Sequence, residues 1–396
     1  MICASALIHG FKEEISSKIF GFWGHIHVND INVNRSFESI PVKKNQTFYP
    51  GLDTIESIEY GGIENYFGFN PNEQDLDQKS NGGIQHIQTF ALKEGIIKTK
   101  NDIEGVILKG IAEDFNWSFL EEYMVEGARI KFPAESYSKD ILISKSTSNR
   151  LKLKLDDQFI ISFVKDNDEV QRRFKVCGIY KTGLEEYDKR FALVDIRQIQ
   201  RLLGWTEDQV TGFEIFIDDL DDLNVYHAYL NQEVLPSRLY AETIRYKFPG
   251  IFEWLELQNI NEIVIISLML LVSIINMITA LMILILERTN MIGTLKALGQ
   301  TNWGIRKIFL YYAAYIIGLG LLLGNFIGIS ICLLQEKFAF IKLNEQDYYL
   351  DVAPISIDPW TLIFLNIGTM LITILFLLIP SYLVTSISPL KAIQFK

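Results

Sequence analysis

Residues 263–286 read IVIISLMLLVSIINMITALMILIL, 24 residues without one charged side chain. About 20 apolar residues in a helix cross the roughly 30 Å of hydrocarbon in a bilayer. Outward from this stretch the pattern recurs twice. Ile308–Leu334 is 27 residues long and Pro359–Leu390 is 32, and neither holds a charge. In the last of these the most apolar part runs from Trp360 to Ile379. A buried helix in a soluble protein rarely runs so far without a charge, so three membrane spans are predicted, over about 263–286, 308–334 and 360–385. From Phe252 to Leu286 no Gly or Pro interrupts the chain, so the domain upstream enters the first span without a flexible linker.

Charge sets the orientation of these spans. The chain of 396 residues carries a formal net charge of −11, divided unequally: −13 over residues 1–262 and +2 over residues 263–396. Between spans one and two lie Arg288, Lys296, Arg306 and Lys307 against the single acid Glu287. Between spans two and three lie Glu336, Glu345, Asp347, Asp351 and Asp358 against Lys337 and Lys342. The tail carries Lys391 and Lys396. Basic loops stay in the cytoplasm, so the first loop and the tail are assigned there and the acidic loop outside. Residues up to about 262 then lie outside as well. The acidic balance of that part argues against nucleic acid, which demands a basic footprint. The three cysteines, Cys3, Cys177 and Cys332, are scattered and read as small apolar filler rather than a disulfide framework.

An exported domain needs something to direct export, and residues 1–8 lack the basic n-region and long apolar core of a secretory signal. Ile2 to Ile8 reads as the last turns of a longer apolar helix, continued by Phe11, Ile15 and Ile19 as an amphipathic stalk over residues 1–20. The expectation is an upstream membrane helix missing from this sequence, giving four spans and a cytoplasmic start.

Residues 21–262 have the pattern of an α+β domain. Strand-like runs are His25–Val28, Asp140–Ile143, Phe159–Val164, Phe174–Tyr180 and Phe213–Ile217; helical runs are Ile196–Leu203 and Leu223–Leu235. The polar segment Asn70–Gly83 reads as an exposed loop. His25 and His27 share a strand face, but without a third ligand at metal spacing a surface or core role is expected. Asn34-Arg35-Ser36, Asn45-Gln46-Thr47 and Asn116-Trp117-Ser118 match the glycosylation acceptor pattern, which is common by chance. Asp218, Asp219, Asp221 and Asp222 read as a solvated turn after a strand rather than a cation site. No phosphate-binding Gly-x-x-x-x-Gly-Lys-Ser/Thr, no Gly-x-Ser-x-Gly and no His-Glu-x-x-His occurs, so no catalytic, cofactor or metal residue is assigned.

Span one leads into Glu287-Arg288-Thr289-Asn290-Met291-Ile292-Gly293-Thr294-Leu295-Lys296-Ala297-Leu298-Gly299. Met291, Leu295 and Leu298 fall on one face of a short helix, with Gly299 as its stop. Periodicity alone also fits an interfacial helix held by lipid head groups. In span two, Gly320, Gly324 and Gly328 place three small residues on one face. That permits close helix packing within the protomer or across a dimer, although glycine is frequent in membrane helices generally. Asn276 and Asn325 are expected to hydrogen-bond inside the bundle.

The Glu-Arg pair at 287–288, the run Ile292-Gly293-x-Leu295-Lys296-Ala297-x-Gly299 and then Ile305-Arg306-Lys307-Ile308-Phe309 resemble the FtsX/MacB-type permease domain of ABC machines. Pro389-Leu390-Lys391-Ala392-Ile393 is similar to the ending of that family. Phe174–Tyr180, Thr182-Gly183-Leu184, Glu186-Tyr187-Asp188 and Gly10-Phe11-Lys12-Glu13-Glu14-Ile15 resemble the lipoprotein-releasing (LolC/LolE-type) branch. Asp156-Asp157 departs from it, standing where a Gly-Asp turn is expected. The resemblance implies a MacB-like periplasmic core followed by an FtsX-like permease domain at 263–396, in the bacterial inner membrane. It implies that Glu287, Arg288, Met291, Ile292, Gly293, Leu295, Lys296, Ala297 and Gly299 form the helix that docks on a cytoplasmic ATP-binding subunit, where the ATPase activity resides. It further implies a second permease subunit, identical or not, and lipoprotein cargo handed to a periplasmic carrier. Two alternatives stay open: MacB-like efflux, and FtsX-like regulation of a cell-wall hydrolase.

Overall fold

The computed structural model describes residues 1–32, 39–60, 78–98, 103–134, 136–165, 168–344 and 348–386. It divides into two compact units. One comprises Met1–Glu14, Glu253–Leu343 and Val352–Lys396; the other comprises Ile15–Phe252 and Asn344–Asp351. Two of the divisions fall within helices, α1 (Ile2–Trp23) and a long helix opening at Pro249, and two fall in the loop that follows Phe338. The motif at 389–393, the basic tail, Asn34-Arg35-Ser36, residues 70–77 of the polar loop, Glu345 and Asp347 lie outside the described residues.

The second unit is built on a ten-stranded mixed sheet. Its strands are β1 (Ile26–Asp30), β2 (Ile84–Lys98), β3 (Ile103–Ile111), β4 (Met124–Gly127), β5 (Asp140–Ser144), β6 (Gln158–Lys165), β7 (Asp168–Tyr180), β8 (Phe191–Asp195), β9 (Gly212–Ile217) and β10 (Leu239–Thr243). The order is β10-β1-β9-β2-β3-β8-β5-β7-β4, with β6 pairing both β7 and β2. That double pairing closes a ring of six strands: β2, β3, β8, β5, β7 and β6. The closing contact sets Ile96 opposite Ser162 and Ile97 opposite Ile161. Gly95 is required there, because a Cβ would stand 2.7 Å from Ile161 Cγ2 and 2.6 Å from Phe163 Cε1. Ile97, Val106, Leu108, Ile141, Ile143, Ile161, Phe163, Phe174 and Val176 all belong to the unit's core. β1 and β9 are buried at every position. Both of their faces are covered, so the half-buried alternation of a surface strand is missing.

Several turns explain themselves chemically. Asp156 has a φ of 68°, the left-handed region where glycine is usual and Asp is tolerated. Asp157 Oδ2 accepts from Lys154 N at 2.7 Å, which completes the turn between the helix at 145–151 and β6. The aspartates after β9 correct an expectation. Asp222 is buried, accepting from Asn81 N (2.7 Å) and Gly82 N (3.0 Å), and Asp218 accepts from Gly83 N (3.0 Å). Asp222 and Asp218 thus anchor the backbone of 81–83, whose N–H groups need partners, while Asp218 and Asp221 remain exposed, so the turn is solvated only in part. Asn116 Oδ1 accepts from Ser118 N and Oγ, capping a short helix. The helix expected over Leu223–Leu235 is α-helical only to Tyr229 and continues as a π turn over Leu230–Val234.

In the other unit, α1 is followed by α2 (Pro249–Glu287), α3 (Thr289–Ala297), α4 (Asn302–Phe338) and α5 (Pro359–Ser381), labels being given only to these helices. Pro249 at its first position pre-sets φ for α2. Thr301 caps α4 by accepting from Gly304 N, and Asp358 caps α5 by accepting from Trp360 N and Thr361 N. α2, α4 and the segment from Pro359 to Thr385 are each long and apolar enough to cross a membrane. Only 11% of the most apolar window of each is buried within the chain, so their outer surfaces require lipid or another protein. The amino-terminal half of α1 packs here: Ser5 Oγ donates to Glu262 Oε1 (2.6 Å), Lys12 Nζ to Asn259 Oδ1 (2.8 Å), and Phe11 meets Trp254 edge-on. Asn325 Nδ2 donates to Asn366 Oδ1 at 3.0 Å, joining α4 to α5 as expected of a polar residue in a bundle. Asn276 departs from that expectation and lies on the exposed surface of α2, on a face that nothing in this unit covers.

Candidate functional site

α3 is the element on which the sequence places the functional residues. Its inward face is Ile292 and Gly293, both buried, with Leu295 packed against the same core of Leu281, Ile285, Ile305, Phe309 and Leu377. Met291 and Leu298 point away; they are 39% and 80% exposed. Glu287, Arg288, Thr294, Ala297 and Gly299 are exposed with them. The face expected to hold Met291, Leu295 and Leu298 together is therefore split, because Leu295 leans into the core. Gly299 has a φ of 90°, and Gly299 N and Gln300 N bond to Lys296 O and Leu295 O. This is a glycine-terminated helix end.

Two cations fasten the surroundings of α3 to the far end of the last span. Lys296 Nζ donates to Val384 O (2.7 Å) and Thr385 O (3.2 Å). Partial burial holds its ammonium below the usual lysine range. Arg306, buried near the start of α4, donates to Ser381 Oγ (2.9 Å) and Leu378 O (3.2 Å), and its guanidinium lies 3.9 Å from the Tyr382 ring centre. Leu378 O belongs to the last turn of α5, and Val384 O and Thr385 O to the short helix at 383–386 that follows it; carbonyls at helix ends carry partial negative charge, and Ser381 adds a hydroxyl. The result is one small assembly with a fixed inner face and an unoccupied outer one. Arg306 was quoted in the sequence motif, but its anchoring role was not foreseen, since Ser381 and Leu378 are distant in sequence.

The glycine face of span two is partly occupied. A Cβ on Gly328 would stand 3.6 Å from Ile2 Cβ of α1, while Gly320 and Gly324 face open space.

The sheet unit contains a second constellation, marked in sequence only by a charge inside two apolar strands, Lys109 in β3 and Glu214 in β9. Lys109 Nζ lies 2.8 Å from Glu214 Oε1 and donates to Phe22 O at 2.5 Å. Gln88 Nε2 donates to Glu214 Oε2 at 2.7 Å. His27 Nε2 lies 2.6 Å from Trp23 O, and Lys247 Nζ 2.8 Å from His27 Nδ1. A neutral His27 with its proton on Nε2 satisfies both contacts. Burial draws Lys109 below and Glu214 above their usual ranges, each opposed by its partner, and lowers Lys247 to about 8. The terminal carbonyls of α1 and the residue two before α2 are thus held by one buried network. His25 and His27 take core roles, and among the described residues no cluster of three potential ligands suits a metal.

With this geometry in place, comparison adds the following. Residues 263–389 match the family model for the FtsX-like permease C-terminal domain. The chain is 24% identical over 322 residues to the lipoprotein-releasing system transmembrane protein LolC of Buchnera aphidicola, covering 79% of this chain and 76% of that protein. It is 22% identical over 334 residues to LolC of Neisseria meningitidis, covering 79% of each. It is 22% identical over 345 residues to LolE of Haemophilus influenzae, covering 81% and 80%. Among solved structures it is similar to the periplasmic region of MacB from Actinobacillus actinomycetemcomitans, at 10% identity and TM-score 0.34 over 57% of this chain and 92% of that one. It is also similar to the extracellular domain of the ABC-type transporter YknZ from Gram-positive bacteria, at 16% identity and TM-score 0.28 over 48% and 98%. The chain is a membrane protein whose carboxy-terminal part is an FtsX-like permease domain.

Proposed function

We propose that this chain is the permease subunit of an ABC-type complex of the bacterial inner membrane and that its work is the release of lipoproteins. The observation that carries the reading is α3. Its inner face is packed and its carboxy-terminal end is pinned through Lys296, yet Met291, Leu298, Glu287 and Arg288 are left to solvent. A short, firmly held helix presenting apolar and charged groups suits docking on a cytoplasmic ATP-binding subunit. The basic loop around it argues for the cytoplasmic side. The sheet unit then lies outside the membrane. The buried network of Lys109, Glu214, His27 and Lys247 grips the end of α1 and the stretch just before α2, the two helices through which motion of the spans would reach the sheet.

LolC and LolE relatives across about four-fifths of the chain support lipoprotein as the cargo, with a second permease subunit and a periplasmic carrier as partners. The test is release of a labelled lipoprotein from spheroplasts in which the chain can be depleted. Release should stop on depletion and return with the wild-type gene. Unimpaired release, with loss instead of small-molecule efflux or of cell-wall hydrolase activation, would refute the lipoprotein assignment.

A further inference from the structure

We propose that Cys3 of α1 and Cys332 of α4 are a redox-responsive pair, and that oxidation closes a disulfide tying the two helices together.

The residues lie 329 positions apart, in the same compact unit, and both are free thiols here. Cys3 Sγ donates to Gly328 O at 3.7 Å. In an α-helix that carbonyl is the acceptor for the N–H four residues on, which is that of Cys332, and side chains at i and i+4 share a face. Cys3 also lies near enough to Cys332 for the two thiols to interact. α1 and α4 are in contact at this level: a Cβ on Gly328 would stand 3.6 Å from Ile2 Cβ, the residue beside Cys3.

Accessibility gives the reaction an order. Cys332 is 1% exposed, whereas Cys3 is only partly buried. Cys332 also stands near the end of the apolar run, where Glu336 and Lys337 follow, so the pair is close to a polar boundary. The orientation read from the loop charges makes that the extracytoplasmic side, where disulfides persist. The oxidant required is a disulfide-bearing thiol oxidoreductase. The Cys3 thiolate attacks one sulfur of its disulfide, that bond breaks, and a mixed disulfide forms as the other sulfur leaves. The Cys332 thiolate then attacks Cys3 Sγ and expels the second sulfur. Two electrons and the two cysteine protons end on the oxidant, now a dithiol. The cross-link would hold α1 against α4 and stop any working motion that parts them, until reduction restores it.

The experiment uses the full chain in native membranes, treated with diamide, quenched with N-ethylmaleimide and mapped by mass spectrometry. Diamide takes up the two electrons and two protons itself. The expected result is loss of alkylation at Cys3 and Cys332 together, with a linked peptide that reductant abolishes; Cys177 reports background oxidation. In Cys3→Ala and Cys332→Ala chains the remaining thiol should stay alkylatable. The wild-type reading does not depend on how well those variants fold. Full alkylation of both thiols after diamide would overturn the proposal, as would pairing of either with Cys177 or with a second copy of the chain.

Discussion

The sheet unit and the helical unit each bury a cation and hold it by different means. Lys109 is fully enclosed between strands and lies 2.8 Å from a carboxylate, Glu214. Arg306 is 8% exposed and pairs with no carboxylate among the described residues: it rests on the Ser381 hydroxyl, the Leu378 carbonyl and the face of Tyr382. A strand interior offers no free carbonyls, because the ladder uses them, so a charge buried there needs a counter-charge. The last turn of a helix offers carbonyls that nothing else satisfies. The same contrast runs through α1, whose final carbonyls, of Phe22 and Trp23, are taken by Lys109 and His27.

The comparison breaks first at Lys109. Lys109→Met leaves the Glu214 carboxylate buried and unpaired, and should destabilise the chain by about 3–5 kcal/mol in unfolding of the detergent-solubilised protein. Adding Glu214→Leu should recover much of that. A Lys109→Met chain as stable as wild type would mean that water reaches the pair.

His25 should give the next largest effect, through pH. Burial lowers it from 6.5 to about 4, and its Nδ1 accepts from Ile217 N at 2.8 Å, a bond only the unprotonated nitrogen can make. The unfolded state therefore binds the proton first as pH falls. The stabilisation is complete above pH 6.5 and is lost toward pH 4, by about 3 kcal/mol at most. Stability measured across that window should fall less in His25→Asn than in wild type. Equal slopes would assign the acid sensitivity elsewhere.

Arg306→Met should cost less than Lys109→Met, about 1–3 kcal/mol, since it removes two hydrogen bonds but leaves Ser381 Oγ donating to Leu378 O and strands no charge. A loss as large as that of Lys109→Met would erase the distinction drawn between the two units. Smallest of all is Lys181→Ala. Lys181 pairs with Asp351 at 2.9 Å while both side chains are substantially exposed, so the change should stay below about 1 kcal/mol and shrink in salt.

The sequence disclosed the two units unequally, for physical reasons. A charge-free run of 24 residues has few structural solutions, so the spans could be located from composition. β1 and β9, buried on both faces, carry no alternation, and the pairings of β9 with β2 and with β1 span about 120 to 190 residues, which no local pattern encodes. The motif residues of α3 could be named in advance. Which of them face outward could not, because Ile292 and Leu295 turn inward to meet Phe309 and Leu377, contributed by two other helices.

The central claim is that the outer face of α3 docks an ATP-binding subunit. The most direct measurement is co-purification of the full chain with that subunit from its own membranes, wild type against Met291→Glu with Leu298→Glu. Both positions are exposed, so the variant tests docking, whereas a bulky residue at the buried Gly293 would test packing. The account predicts that the ATPase accompanies wild type and is lost from the double variant while the chain stays folded in detergent. An ATPase retained equally by both would contradict it, as would none with wild type even after cross-linking with nucleotide present.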